Sequence, residues 1–201
     1  MPVQKPVKKL GIYGGTFDPI HNGHLRVVVE LISRKLVDQI ILVPAGSPLL
    51  REGAPEADAK SRLEMCKLAV NDLPTGIKEN VSVSDIEVNR SGPSYAIDTV
   101  IELGKSGEEL FWIIGSDAYS KIDKWHRAKE LQELVSFIVV DRPDKASAKA
   151  GDLDSDIGEE EGIDIGALDI SATEIRSDQE LHGVSPSVRK FIIDRKLYAS
   201  K

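Results

Sequence analysis

Residues 10 to 24 read Leu-Gly-Ile-Tyr-Gly-Gly-Thr-Phe-Asp-Pro-Ile-His-Asn-Gly-His. Leu10 to Tyr13 form a short apolar run, and a helical pattern begins near His24. The stretch therefore predicts a strand, a glycine turn and a helix N-terminus. Such a turn gathers backbone N–H groups and the positive end of a helix dipole at one place, which suits phosphate. Gly14 and Gly15 admit close approach of a ligand. Pro19 delays the helix, and Asn22 is the expected N-cap. His21 and His24 fall where phosphates would lie, and both can donate to phosphate oxygens. A plain dinucleotide-binding turn has no such pair, so the stretch implies phosphate chemistry as well as nucleotide binding.

Outward from this turn, apolar runs recur at Leu10–Tyr13, Ile40–Val43, Val81–Ile86, Phe111–Ile114 and Phe137–Val140. Several are continuous and rich in Val and Ile, as strands buried on both faces should be. Helix-period segments alternate with them at His24–Leu36, Ala59–Asn71, Tyr95–Lys105 and Ala128–Leu134. Two more helices are expected near Ser171–Gln179 and Pro186–Arg195. The alternation predicts an α/β fold: an open, mostly parallel, Rossmann-like sheet with helices on both faces. One domain over residues 1–201 is expected, with a C-terminal helical portion from about residue 171. A ligand would sit at the carboxyl ends of the strands, near a switch in strand order.

The chain has 201 residues, 41% hydrophobic and 29% charged, with a formal net charge of −7. That balance suits a globular protein and disfavours nucleic acid, whose partners usually carry a basic face. The single cysteine, Cys66, rules out an intrachain disulfide and fits a reducing cytoplasm. No apolar segment follows the N-terminal Met-Pro-Val-Gln-Lys, and no apolar run reaches 18 residues, so neither a leader nor a membrane span is expected. Homo-oligomerisation is left open. Residues 141 to 162 are polar and acidic and read as a solvated loop, without the spacing of a calcium-binding loop. His126 and His182 lack ligand spacing to Cys66, so no zinc site is expected.

A second motif reads Ile170-Ser171-Ala172-Thr173-Glu174-Ile175-Arg176. Ser171 and Glu174 make a capping box, and Ile170 with Ile175 a hydrophobic staple. Two hydroxyls, free N–H groups and a guanidinium at one helix end also form a second phosphate cradle.

Together these motifs resemble the nucleotidyltransferase superfamily with the (H/T)xGH signature, and specifically bacterial nicotinate-nucleotide adenylyltransferases. The run from Gly14 to Leu25 matches that family throughout, and ISATEIR resembles its ISSTxxR element, with Ala172 in place of the second serine. Arg62-Leu-Glu-Met65, Ser94 to Thr99, Gly115-Ser116-Asp117, Trp125 and the tail from Val188 to Tyr198 fall in the family's order.

The resemblance implies a Rossmann-like fold and transfer of an adenylyl group from ATP to nicotinate mononucleotide, giving deamido-NAD and pyrophosphate. Both reacting phosphates are already ionised at neutral pH, so alignment and charge stabilisation suffice. Mg²⁺ would arrive on ATP without a dedicated protein site. His21, His24 and Arg176 would be catalytic. ATP would meet Gly14, Gly15, Thr16, Phe17, His21, His24, Arg51, Gly115, Asp117, Ile170, Ser171, Thr173 and Arg176. The pyridine nucleotide would meet Ser94, Tyr95, Thr99, Asp117 and Trp125.

Two departures bear on this. Where the family often has Pro-Pro-His-Lys, this chain has Pro48-Leu49-Leu50-Arg51, leaving Arg51 as the cation there. Ala96 stands where the family has threonine. The alternatives are a sister enzyme acting on nicotinamide mononucleotide or pantetheine phosphate, or a non-catalytic nucleotide-binding regulator. A redox Rossmann enzyme is disfavoured because no GxGxxG follows the first strand.

Overall fold

The computed structural model describes residues 7–48, 53–140, 170–178 and 180–198. Five strands form one sheet: β1 (Lys9–Gly15), β2 (Gln39–Pro44), β3 (Val81–Val83), β4 (Glu109–Gly115) and β5 (Ser136–Val140). Their order is β3-β2-β1-β4-β5, and all four pairings are parallel. The expected sheet was mostly parallel; among the described residues it is wholly so. The chain adds strands on one side of β1 and then returns to add β4 on the other. That reversal puts a crevice at the carboxyl ends of β1 and β4.

Around the sheet lie α1 (Asn22–Ser33), α2 (Ala59–Asn71), α3 (Thr75–Lys78), α4 (Ala96–Leu103), α5 (Ser116–Tyr119), α6 (Ala128–Leu134), α7 (Ala172–Ser177) and α8 (Pro186–Arg195). Alternation along each strand splits the core in two. On β4, Trp112 and Ile114 join Ile97, Val100 and Leu131 from α4 and α6 on one face. Ile113 joins Val28, Leu31, Met65 and Ile192 from α1, α2 and α8 on the other. Burying one such side chain contributes about 1.5–3 kcal/mol relative to leaving it exposed. Both faces are thus covered, which is why the strands read as continuous apolar runs.

Two expectations shift, and two short helices are added. The third strand stops at Val83 rather than Ile86. Its neighbour Ser84 accepts the Ile86 N–H at 3.3 Å through its hydroxyl, a local turn that competes with the ladder. The N-cap of α1 is His21, not Asn22. The short α3 and α5 carry too few periodic residues to be read from sequence. Residues 141–162 lie outside the described part, as do Leu50 and Arg51.

Candidate active site

The turn after β1 holds the two histidines side by side. Their ring centroids are 3.7 Å apart and the rings are inclined at 33°. His21 is buried and has extended backbone, so its carbonyl accepts the first helical N–H groups of α1, from His24 at 2.9 Å and Leu25 at 3.1 Å. The His21 N–H donates to His24 Nδ1 at 3.2 Å. This contact makes Nδ1 the acceptor and assigns the ring proton to Nε2 in the neutral imidazole. His24 is therefore set as an Nε2–H donor, and its ring packs edge-on to Phe17 at 5.0 Å and Tyr13 at 6.1 Å. The Asn22 N–H donates to Gly183 O at 2.7 Å, tying the helix start to the C-terminal segment.

Gly14 and Gly15 close β1, but the space over each is taken by this chain's own aromatic rings. A Cβ on Gly14 would stand 2.7 Å from the Trp112 ring, and one on Gly15 would stand 2.9 Å from Phe17. Phe17 itself has φ +49, a left-handed conformation uncommon outside glycine, and is 2% exposed. The glycines thus serve the packing that fixes the turn.

Beneath the turn is a buried polar hub that sequence reasoning missed. Asp18 Oδ2 accepts the Glu56 N–H at 2.9 Å, and Oδ1 accepts the Ala57 N–H at 3.1 Å and the Tyr198 hydroxyl at 2.8 Å. Arg62, 1% exposed, donates to Thr16 O at 2.6 Å, Gly46 O at 3.2 Å and Ala57 O at 3.2 Å. Burial pulls the Arg62 pKa down, and the Asp18 charge opposes that. One guanidinium so binds the turn after β1, the turn after β2 and the lead into α2. The signal was present: Arg62 occupies the apolar stripe of α2 with Met65, Cys66, Ala69 and Val70. A cation on a buried stripe must find acceptors there.

Helix α7 begins with the predicted capping box. The Glu174 N–H donates to Ser171 Oγ at 3.2 Å, and the Ser171 N–H donates to Glu174 Oε2 at 3.0 Å. Arg176 reaches from this helix to the first turn, donating from Nη1 to Asp18 O at 2.8 Å. Its Nη2 donates to Thr173 Oγ1 at 3.2 Å and its Nε to the Glu56 carboxylate. Ile170 lies beside Gly183, where an added Cβ would stand 3.2 Å from the Ile170 side chain.

Across the crevice, Gly115 ends β4 and Asp117 lies exposed in α5. Tyr95 is the N-cap of α4 and stacks on His126 at 4.2 Å between centroids. Trp125 is half-buried and meets Trp112 edge-on at 6.1 Å. Ser94 and Thr99 face inward. Ser94 Oγ accepts the N–H groups of Gly46 at 3.0 Å and Ser47 at 3.2 Å. Thr99 is fully buried and donates to Glu87 Oε1 at 2.6 Å. Among the described residues, no group of three or more His, Cys, Asp or Glu side chains could hold a metal ion, and no helix is long and apolar enough to cross a membrane.

The sheet order, the paired histidines at its switch point and the capped α7 arginine beside them define a nucleotidyltransferase, and the cytidylyltransferase-like family matches residues 12–178. The chain is 33% identical over 205 residues to a probable nicotinate-nucleotide adenylyltransferase of Dehalococcoides mccartyi, covering 96% of this chain and 98% of that one. A relative of the same name from Desulfatibacillum aliphaticivorans is 41% identical over 135 residues, 67% of this chain and 60% of its own. The fold is shared with a solved Plasmodium falciparum nicotinic acid mononucleotide adenylyltransferase complexed with NaAD, at a TM-score of 0.72 and 21% identity, covering 95% of this chain and 97% of that one. The chain belongs to the nicotinate-nucleotide adenylyltransferase family of nucleotidyltransferases.

Proposed function

We propose that this enzyme joins ATP to nicotinate mononucleotide, releasing pyrophosphate and forming deamido-NAD in NAD biosynthesis. The observation that carries the site reading is the convergence of His21, His24 and Arg176 at one end of β1, with Arg176 anchored on the main chain of Asp18. The mononucleotide 5′-phosphate is an ionised nucleophile and pyrophosphate a stable leaving group, so the protein need not move a proton. It has to hold the two phosphates in line and spread donors over the charge that develops. His24, with its proton assigned to Nε2, and His21 would meet the α-phosphoryl oxygens. Arg176, Thr173 and the N-terminus of α7 would hold the β and γ phosphates. Tyr95, Trp125 and the start of α4 would receive the pyridine ring and its carboxylate. Mg²⁺ would come as part of the ATP substrate, held by phosphate and water oxygens. The expected compartment is the cytoplasm.

The test is competition. With ATP and equal concentrations of nicotinate and nicotinamide mononucleotides, deamido-NAD should exceed NAD by roughly tenfold or more. A site offering donors only leaves an amide NH₂ mispaired, at about 1–3 kcal/mol. Equal or greater yield of NAD would overturn the assignment.

A further inference from the structure

The C-terminal segment grips the histidine turn on both sides of His21. On one side, Arg176 Nη1 donates to Asp18 O at 2.8 Å, and the Tyr198 hydroxyl donates to Asp18 Oδ1 at 2.8 Å. On the other side, Gly183 O accepts the Asn22 N–H at 2.7 Å. Asp18 stands before His21 in the chain, and Asn22 follows it directly. Bonds at Asp18 alone would let the start of α1 pivot about that point; the bond at Asn22 removes the pivot. Asn22 is the first residue of α1, and the same first turn carries His24.

The Gly183 carbonyl is held in place by Asp178, the C-cap of α7. The Asp178 carboxylate folds back over the residues that follow it. Its Oδ1 accepts the Glu180 N–H at 2.9 Å, and Oδ2 accepts the His182 N–H at 2.7 Å. The His182 Nδ1 also lies 2.8 Å from Oδ2, and the Asp178 main-chain oxygen accepts the Leu181 N–H at 3.1 Å. The two main-chain N–H groups on the carboxylate hold the Asp178 carboxyl below the usual carboxylate range, so it stays an anion with both oxygens free to accept. Together these bonds enforce a conformation that the chain disfavours by itself. Leu181 has φ +53, a left-handed backbone rare for a bulky side chain. That side chain is buried in one cluster with Ile175, Val184 and Val188. Gly183 has φ +89, which glycine adopts readily. With Leu181 anchored inward and Gly183 turned left-handed, the Gly183 carbonyl meets the start of α1.

We propose that Asp178, acting through the Gly183 carbonyl, is a positioning residue that keeps the histidine pair at a fixed distance from the phosphate cradle of α7. The role rests on the adenylyl-transfer reading above. In that reading one triphosphate spans both places, with its α-phosphoryl group at His21 and His24 and its β and γ phosphates at α7. The two places must therefore keep a separation that matches the reach of the triphosphate. Ground-state binding is spread over many contacts and tolerates a small error at α1. The in-line transition state does not, and a shift of about 1 Å costs on the order of a hundredfold in rate. A loosened α1 start should lose kcat and keep most of its affinity. A residue that only stabilised the fold would lower Tm and leave kcat per folded molecule unchanged.

The experiment compares Asp178→Ala, Asp178→Asn and His182→Ala with the full-length parent protein. Hydrogen exchange followed by NMR reads the Asn22 N–H directly. Calorimetry gives the Kd of a non-hydrolysable ATP analogue, and steady-state assays give kcat. Asp178→Ala should speed exchange at Asn22 by roughly tenfold or more and lower kcat by roughly fivefold or more, with the analogue Kd within about threefold of the parent. Asp178→Asn keeps one acceptor oxygen and should fall between the two. His182→Ala keeps the main-chain N–H and should leave kcat close to the parent's. Parent-like exchange at Asn22, or a parent-like kcat, in Asp178→Ala would overturn the proposal. So would a much weaker analogue Kd at unchanged kcat, which marks a ligand contact. A loss in His182→Ala equal to that in Asp178→Ala would move the role to the imidazole and overturn it as well. Should Asp178→Ala fail to fold, Asp178→Asn alone must show both the faster exchange and the lower kcat. If the parent protein prefers nicotinamide mononucleotide, the substrate assignment fails separately and the same comparison is made with that substrate.

Discussion

Arg176 Nη1 donates to the main-chain oxygen of Asp18 at 2.8 Å, across 158 positions of sequence. The acceptor is a carbonyl, so the bond survives any change of charge on the Asp18 side chain. It fixes the guanidinium beside the histidine turn. The rest of that guanidinium is held by Thr173 and by the carboxylate of Glu56.

Glu56 should therefore compete with triphosphate for Arg176. Its side chain is 55% exposed, so the pair is screened and worth no more than about 0.2–1 kcal/mol. Glu56→Gln is expected to lower the KM for ATP by up to roughly fivefold without raising kcat. Higher salt should shrink the difference between the variant and the parent. A raised KM would show that Glu56 helps to present Arg176 instead.

His24→Ala should cut kcat by tenfold or more while leaving the fold intact. Loss of one preorganised donor to a developing phosphoryl charge typically costs about 2.7–4 kcal/mol of barrier. His24→Asn, which also offers an N–H at similar reach, should recover part of it. Turnover close to the parent's in the alanine variant would remove His24 from the chemistry.

Asp18→Asn should be one of the more damaging isosteric changes in the chain. The carboxylate accepts from Glu56 N, Ala57 N and the Tyr198 hydroxyl. An amide has one oxygen for these donors and turns its NH₂ toward the rest, at about 1–3 kcal/mol for each buried mispairing. Urea denaturation should show that loss, and Tyr198→Phe, which removes only one donor, should cost less. If the two variants are equally stable, the hub is not the anchor of the C-terminal segment.

Stability should fall on the alkaline side. Burial pushes the Cys66 thiol pKa up, with Arg62 opposing. Burial also raises the Tyr198 pKa, reinforced by the Asp18 charge and hydrogen bond. Unfolded cysteine and tyrosine ionise near about 8.5 and 10. Below those values both states keep their protons and the full contribution is present. As pH rises through them the unfolded chain releases protons that the folded chain retains, so stability drops by up to about 1.4 kcal/mol per pH unit for each group. Unfolding free energies measured from pH 8 to 11 should show this slope. Cys66→Ala should flatten its first part and Tyr198→Phe its second; an undiminished slope in both would refer the effect to other groups.

The sequence by itself determined the main elements and pointed to the chemistry. Continuous Val and Ile runs set the strands, the capping box at Ser171 and Glu174 set α7, and the histidine pair after a glycine turn pointed to phosphate. These signals are local, because a strand period, a helix cap and a turn each depend on residues a few positions apart. Only the tertiary structure decided what holds those pieces at working distance. The carboxylates of Asp18 and Glu87 read in the chain as ordinary polar residues, the guanidinium of Arg62 only as part of a family element, and the hydroxyl of Ser94 only as a ligand contact. Their partners lie from 5 to 180 positions away: Arg62 reaches Ala57 across 5, Thr99 reaches Glu87 across 12 and Tyr198 reaches Asp18 across 180. A buried charge must be met by whatever acceptors and donors the fold brings to it, and which those are is fixed by the strand order. For the same reason only the fold shows that Gly14 and Gly15 leave room for the rings of Trp112 and Phe17.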